Sequence, residues 1–249
     1  MARAALPGRL NWQLGRVVET IQETQRAMSL VLDLSSWPGH RAGQHVDIRL
    51  TAEDGYQAQR GYSIASAPED DGVMLTVDRL ENGEVSPYLT DVIEPGDEIE
   101  VRGPIGGYFV WDASLSGPLQ LISGGSGIVP LRAMLRHWAA ARPLVAVRLL
   151  HSARSLDDVI YRDELMRFAA FDEVDLHIAL TRTWPEHWRG HRGRVDRAFL
   201  ESATWPPGDE PHIYVCGPTA FVEAATAALV ENGHRPDAIK RERFGPTGG

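Results

Sequence analysis

Cysteine is nearly absent: the 249 residues hold one, Cys216. A single thiol excludes a disulfide framework, a zinc site of the usual two- to four-cysteine kind and a four-cysteine iron–sulfur cluster held by this chain. No apolar run approaches the roughly 20 residues of a membrane span. The start, MARAALPGRLNW, lacks the apolar stretch of a signal peptide. The nine histidines show no metal-ligand spacing, since His187 and His191, four apart, sit in a segment broken by proline and glycine. Positive charge is in deficit, and a net charge of −9 argues against a broad nucleic-acid surface or an anionic membrane as partner. These absences lead to the expectation of a cytoplasmic protein without a metal ion. What remains, 43% hydrophobic and 24% charged residues, is enough to bury one large or two ordinary domains.

From Asn11 to about Gly103 the chain reads as short strands separated by turns. Apolar and β-branched positions recur in Leu14–Thr20, Met28–Leu34, His45–Leu50, Gln57–Ile64, Val73–Val77 and Glu98–Arg102. Turn chemistry lies between them in Trp37-Pro38-Gly39, Glu53-Asp54-Gly55, Asp70-Asp71-Gly72 and Pro95-Gly96-Asp97. Six strands at this pitch predict a closed antiparallel β-barrel, interrupted by a short helix with Ser86 as N-cap and Pro87 at its first position. Two stretches carry chemistry. In Arg60-Gly61-Tyr62-Ser63, arginine offers a fork for phosphate, tyrosine a flat apolar plate and serine a small hydrogen-bond partner. Residues alone also fit an ordinary barrel strand with a solvated arginine. Asn82-Gly83-Glu84-Val85-Ser86 is a glycine turn into a helix start, equally readable as an anion site or as capping.

From Ser114 the period changes. Apolar strands at Leu119–Ile122, Val145–Leu150, Val174–Leu180 and His212–Cys216 alternate with helices at Ile128–Ala140, Tyr161–Ala170, Arg197–Leu200 and Thr219–Asn232. Such alternation predicts βαβ units around a mostly parallel sheet. Gly117-Pro118 is the expected boundary, giving a barrel domain over 9–114 and an α/β domain over 115–249. Ligands of open parallel sheets gather at the carboxyl ends of the strands. The residues that matter most are therefore Gly125–Gly127, His151–Arg154, Thr181-Arg182 and Cys216–Pro218. Among them, LISGGSGIVP joins a strand, a glycine-rich turn and a helix, the arrangement that cradles phosphate. Alone it fits plain strand–helix punctuation as well. Thr181-Arg182, with Arg189, Arg192 and Arg194, forms a basic patch suited to a 2′-phosphate, or simply a solvated loop. Cys216 reads as a buried small hydrophobe. Asp163-Glu164 reads as helix-start and surface charge.

Together these stretches resemble the ferredoxin–NADP reductase family of flavoproteins over nearly the whole chain. Arg60-Gly61-Tyr62-Ser63 is similar to the family's R-x-Y-S/T flavin motif, and Gly83-Glu84-Val85-Ser86 to its second pyrophosphate-binding turn. Gly125-Ser126-Gly127-Ile128-Val129-Pro130 resembles its G-x-G-x-x-P dinucleotide loop, and Cys216-Gly217-Pro218 its C-G-P stretch. The resemblance implies that Arg60 binds the FAD pyrophosphate, Tyr62 packs on the isoalloxazine and Ser63 hydrogen-bonds near flavin N5. It extends the FAD set to His45, Gly61, Val77, Gly83, Val85, Ser86, Phe244, Gly245 and Pro246. The expected NAD(P) set is Gly125, Ser126, Gly127, Ile128, Pro130, Ser152, Arg154, Thr181, Arg182, Arg194, Cys216, Gly217 and Pro218. Ser63, Cys216 and Glu242 are the expected catalytic residues. The ending Glu242-Arg243-Phe244-Gly245-Pro246 resembles the close of flavohaemoglobin reductase modules, with Thr247-Gly248-Gly249 extending beyond Phe244.

The implied function is an FAD-dependent NAD(P)H oxidoreductase that passes electrons to a separate ferredoxin, flavodoxin or oxygenase component. No iron–sulfur cluster and no fused carrier domain are expected. NADPH is expected over NADH on the strength of Thr181-Arg182. Two alternatives remain at this point: a diaphorase or flavin reductase acting on a free small molecule, and a flavin-binding sensory or electron-transfer subunit without hydride chemistry.

Overall fold

The computed structural model describes residues 10–245. Two six-stranded sheets organise them. The antiparallel sheet is built from β1 (Gln13–Gln22), β2 (Ala27–Asp33), β3 (His45–Thr51), β4 (Gln57–Ser63), β5 (Val73–Asp78) and β6 (Glu98–Ile105) in the order β4-β3-β6-β1-β2-β5. Its two ends meet where Ile64 bridges Leu75 and the Ala65 N–H donates to the Met74 carbonyl at 2.7 Å, which closes the barrel. Alternation along the strands sends Val17, Leu30, Leu32, Val46, Ile48, Val73, Leu75 and Val101 inward. The helix α1 (Ser86–Asp91) plugs one end with Leu89, and Val85 beside it is equally buried.

The expected cap of α1 is displaced by one residue. Val85 holds the N-cap position, Ser86 is the first helical residue, and no side chain caps the helix. The Ser86 hydroxyl instead accepts from the Leu80 N–H at 3.1 Å, so it staples the preceding turn rather than the helix end.

The second sheet comprises β7 (Leu119–Gly124), β8 (Val147–Ala153), β9 (Val174–Leu180), β10 (His191–Arg192), β11 (His212–Pro218) and β12 (Ile239–Phe244). All are parallel, in the order β10-β9-β8-β7-β11-β12. Helices α2 (Ile128–Ala141), α3 (Arg162–Phe168), α4 (Arg197–Ala203) and α5 (Thr219–Glu231) cover its faces. Every residue of β7 is buried, as a central parallel strand covered on both faces requires. Two strands escape the sequence expectations, β10 and β12, and both lie at sheet edges. Among the described residues no helix is long and apolar enough to cross a membrane.

The barrel and the α/β layer share one apolar seam. Ala27, Ala42, Ala65, Phe109 and Trp111 pack in the same cluster as Val129, Met134 and Trp138 of α2 and Tyr214 and Cys216 of β11. Polar contacts flank it. Arg132, 5% exposed, donates to Glu164 at 2.6 Å and to the Ala65 carbonyl at 3.0 Å. Arg136 bonds Glu164 at 2.8 Å and Asp70 at 2.7 Å. Glu164 is thus not the surface charge its position near a helix start suggests, but the carboxylate that two arginines of α2 share. Tyr161, buried and ahead of α3, donates its hydroxyl to Thr76 of the barrel.

Candidate active site

The glycine turn forms at the carboxyl end of the central strand. After β7, Gly125–Gly127 make a single 3-10 turn that leads directly into α2. Gly125 takes φ +53°, and a side chain there would project into open space. Gly127 is needed for the opposite reason. A Cβ on it would lie 2.1 Å from the Cys216 carbonyl oxygen, so this turn and the Cys216-Gly217-Pro218 stretch are pressed together. Pro130 falls in the first turn of α2, where its missing N–H has no intrahelical partner to lose.

A cleft of about 230 Å³ opens in front of the turn. Gly124, Gly125, Ser126, Ser152, Ala153, Arg154, Thr181, Pro218 and Phe221 line one side of it, and Thr24, Arg26 and Asp78 of the barrel line the other. Of the expected nucleotide residues, Gly125, Ser126, Ser152, Arg154, Thr181 and Pro218 therefore converge on one space. Gly127, Ile128 and Cys216 are buried behind it. Arg182 and Arg194 are exposed and stand outside its lining. Thr24, Arg26, Asp78, Asp158, Ile160 and Phe221 complete the cleft, and no motif in the sequence marks them. The hairpin turn that carries Arg26 has no local signature of ligand binding, and only the packing of the two domains delivers it there.

Cys216 belongs to a row of groups in register across four strands. His151 of β8 pairs with Ser123 of β7, Ser123 with Cys216 of β11, and Cys216 with Glu242 of β12. In-register neighbours on parallel strands share a face, so the four side chains form a polar line within an apolar sheet. Ser123 Oγ and His151 Nδ1 are 2.8 Å apart. Burial pushes His151 down to about 4, which keeps its imidazole neutral. Burial raises the Cys216 thiol well above its ordinary value, and the carboxylate of Glu242 adds to the effect. Burial lifts Glu242 to about 7. Its Oε2 atom is buried and has no hydrogen-bond partner among the described residues. Phe244, two residues on, packs against the apolar seam.

On the barrel, Ser63 is buried and its hydroxyl is likewise without a partner. Ala65, two residues later, lies in the same cluster as Cys216 and Phe244. Tyr62 is half-buried, and desolvation drives its hydroxyl far above the ordinary value, so the ring stays neutral. His45 is the register partner of Ser63, and a Cβ on Gly61 would stand 3.7 Å from its ring. Arg60 meets the second glycine turn directly: its guanidinium lies 3.0 Å from Glu84, which also accepts from the Tyr56 hydroxyl at 2.7 Å. That turn is tight, since a Cβ on Gly83 would come 2.7 Å from Ser86 Oγ. Val77 is fully buried in the barrel core. Gly245 is exposed, and Pro246 lies outside the described residues.

A flavin suits these residues. An unpartnered buried hydroxyl at Ser63, a half-buried aromatic plate at Tyr62 and an arginine fork at Arg60 offer one hydrogen bond, one stacking face and one phosphate contact along a single strand. The comparisons agree with the geometry. Residues 16–110 match the oxidoreductase FAD-binding domain family and residues 121–227 the oxidoreductase NAD-binding domain family. A glycine betaine monooxygenase reductase subunit of Pseudomonas aeruginosa is 34% identical over 94% of this chain, which spans 64% of that protein's length. Ferredoxin–NADP reductase B of Sorangium cellulosum is 37% identical over 71% of this chain and 73% of its own. Among solved structures, the FAD/NAD-binding domain of a nitric oxide dioxygenase from Vibrio cholerae superposes with a TM-score of 0.83 at 25% identity. It covers 94% of this chain and 98% of its own. With both domain families matched in order along one chain, the protein belongs to the ferredoxin–NADP reductase family of flavoprotein oxidoreductases.

Proposed function

We propose that this chain is a reductase that takes electrons from NADPH, or NADH, through FAD and passes them to a separate one-electron carrier. One observation carries the reading most directly. Ser63 of the barrel and Glu242 of the α/β layer each bury a polar atom with no partner among the described residues, as does Trp111 of the seam itself, and Ser63 and Glu242 lie two residues from the seam members Ala65 and Phe244. Buried polar atoms are almost always bonded, so orphans contributed from both sides of one seam suit a ligand that spans it.

In this reading Arg60 and the Gly83–Ser86 turn hold the FAD pyrophosphate, while His45, Tyr62 and Ser63 orient the ring system. The glycine turn and Thr181, Ser152 and Arg154 hold the dinucleotide. The flavin, when bound, supplies the chemistry of accepting a hydride and releasing electrons singly. The residues around it do the rest. The Cys216-Gly217-Pro218 stretch backs the glycine turn and presents Pro218 to the cleft, Ser63 would donate to the ring edge, and Glu242 holds or releases a proton at its Oε2. The Cys216 thiol stays protonated and is a buried backing of the glycine turn, not a nucleophile.

The acceptor we propose is a ferredoxin, flavodoxin or oxygenase component, and the site of action the cytoplasm. Support comes from relatives described as reductase subunits of a glycine betaine monooxygenase and of an aromatic O-demethylase. One cysteine cannot ligate a four-cysteine cluster, so the carrier must lie outside these 249 residues. The test is turnover by the FAD-loaded protein with purified ferredoxins and flavodoxins, set beside free FMN and ferricyanide. Faster reduction of a protein carrier at micromolar concentration is the expected result. A marked preference for the free small molecules would replace the reading with a diaphorase or flavin reductase. A flavin that NADPH and NADH both fail to bleach under anaerobic conditions would make it a sensory subunit.

A further inference from the structure

The nucleotide cleft has two walls, and one of them comes from the barrel. On the α/β side, the glycine turn offers backbone N–H groups and the positive end of α2. A helix end is worth about half an elementary charge. A dinucleotide diphosphate carries about two negative charges, so the turn alone leaves most of that charge unbalanced. Neither Gly125–Gly127 nor the first turn of α2 supplies a cationic side chain. Among the residues that line the cleft, the cations are Arg154, after β8, and Arg26, from the turn between β1 and β2.

Arg26 is held in place without being used up. Thr24 Oγ1 accepts from the Arg26 and Ala27 N–H groups at 3.2 and 3.1 Å, which fixes the turn. The guanidinium donates to the Arg79 carbonyl at 2.8 Å, and its Nε stands 3.8 Å from Asp78, a distance at which charge acts but no hydrogen bond forms. Arginine has five N–H donors, so most of this fork is open. Arg132 makes the contrast: it lies on the buried seam, and its donors are taken by Glu164, Ala65 and Met74. Asp78 faces the same cleft. Burial raises its carboxyl, Arg26 and Arg154 lower it, and Asp158 raises it, so these four charged side chains share one field.

We propose that Arg26, delivered by the barrel, closes the dinucleotide's diphosphate against the glycine turn from the opposite wall. The site is then a clamp between domains, and its two jaws are the Gly125–Gly127 turn and one hairpin arginine. This inference rests on the reading that the glycine turn receives NAD(P)H.

The experiment uses the FAD-loaded protein and ADP-ribose as probe, because ADP-ribose keeps the diphosphate and lacks the nicotinamide. Calorimetry should show Arg26→Gln weakening ADP-ribose about tenfold, the effect of losing one charge-assisted contact at a partly exposed position. KM should rise by a similar factor for NADPH and for NADH, with unchanged flavin content and unchanged rate at saturation. Arg26→Lys should recover part of the loss. Arg79→Gln is the control, since Arg79 pairs with Asp91 at 2.7 Å and does not line the cleft, yet removes the same net charge. An Arg26→Gln protein that binds ADP-ribose within twofold of the parent overturns the proposal, as does an equal loss in Arg79→Gln. A parent protein that neither binds ADP-ribose nor is bleached by NADPH or NADH overturns the nucleotide reading itself, and the clamp with it.

Discussion

Cys216 and Glu242 stand opposite one another on adjacent parallel strands, one a buried thiol and the other a carboxyl lifted to about 7. Glu242 binds its proton more tightly in the folded chain than its ordinary value of 4.5 allows. The stabilisation that this gives is present below about pH 4.5 and is lost as pH rises toward 7. Glu242→Gln cannot lose it. The Tm of the parent should therefore fall relative to Glu242→Gln between about pH 4.5 and 7 and run parallel above that range. Differential scanning calorimetry at four or five pH values checks this, and a constant difference across the range would refute it.

Gly127→Ala tests the contact between the two halves of the proposed nucleotide site. A Cβ placed 2.1 Å from the Cys216 carbonyl must push the glycine turn away from β11. The expected result is a KM for NAD(P)H raised at least about tenfold, comparable to losing one charged contact, with FAD still bound at full occupancy. Flavin absorbance and steady-state kinetics on one preparation decide it. Simultaneous loss of FAD would mean that the damage is global.

Arg132→Met tests the seam. Removing one partner from a buried ion pair costs about 3–5 kcal/mol. The lower end applies here, because Arg136 remains 2.8 Å from Glu164. Urea denaturation monitored by tryptophan fluorescence should show the loss. Adding Glu164→Gln to it should cost less than the sum of the two single changes, since both remove the same pairing.

Arg182→Ala tests the choice of donor. If the basic patch after β9 receives a 2′-phosphate, KM for NADPH should rise several-fold more than KM for NADH, by the size of one charge-assisted contact. Equal effects on both would remove the basis for preferring NADPH. Arg182 is exposed and outside the cleft lining, so Thr181 and Arg154 are the residues to vary next.

The parts of this protein that could be read in advance are those whose chemistry is local. Gly125–Gly127 announces itself because the turn, the strand before it and the helix after it are consecutive in the chain. Barrel strands such as β3 are legible because Val46 and Ile48 alternate with polar neighbours. β12 is not legible in that way. Its sequence, IKRERF, buries only Ile239 fully and pairs along one edge with β11, so no apolar period marks it as a strand. Glu164 reads from sequence as a surface charge because its two arginine partners lie 28 and 32 residues away. Arg26 reads as one more polar hairpin residue until Asp78 and the glycine turn are brought in front of it. Long-range packing alone could supply each of these.

The seam that joins Trp111 and Ala65 of the barrel to Trp138 and Cys216 of the α/β layer has a consequence for how the molecule comes apart. Cutting it would uncover Trp111, which packs on His137 of α2, and strip Arg132 of its carbonyl partner, so each half is destabilised by the loss of the other. The pair should give way as one thermal unit.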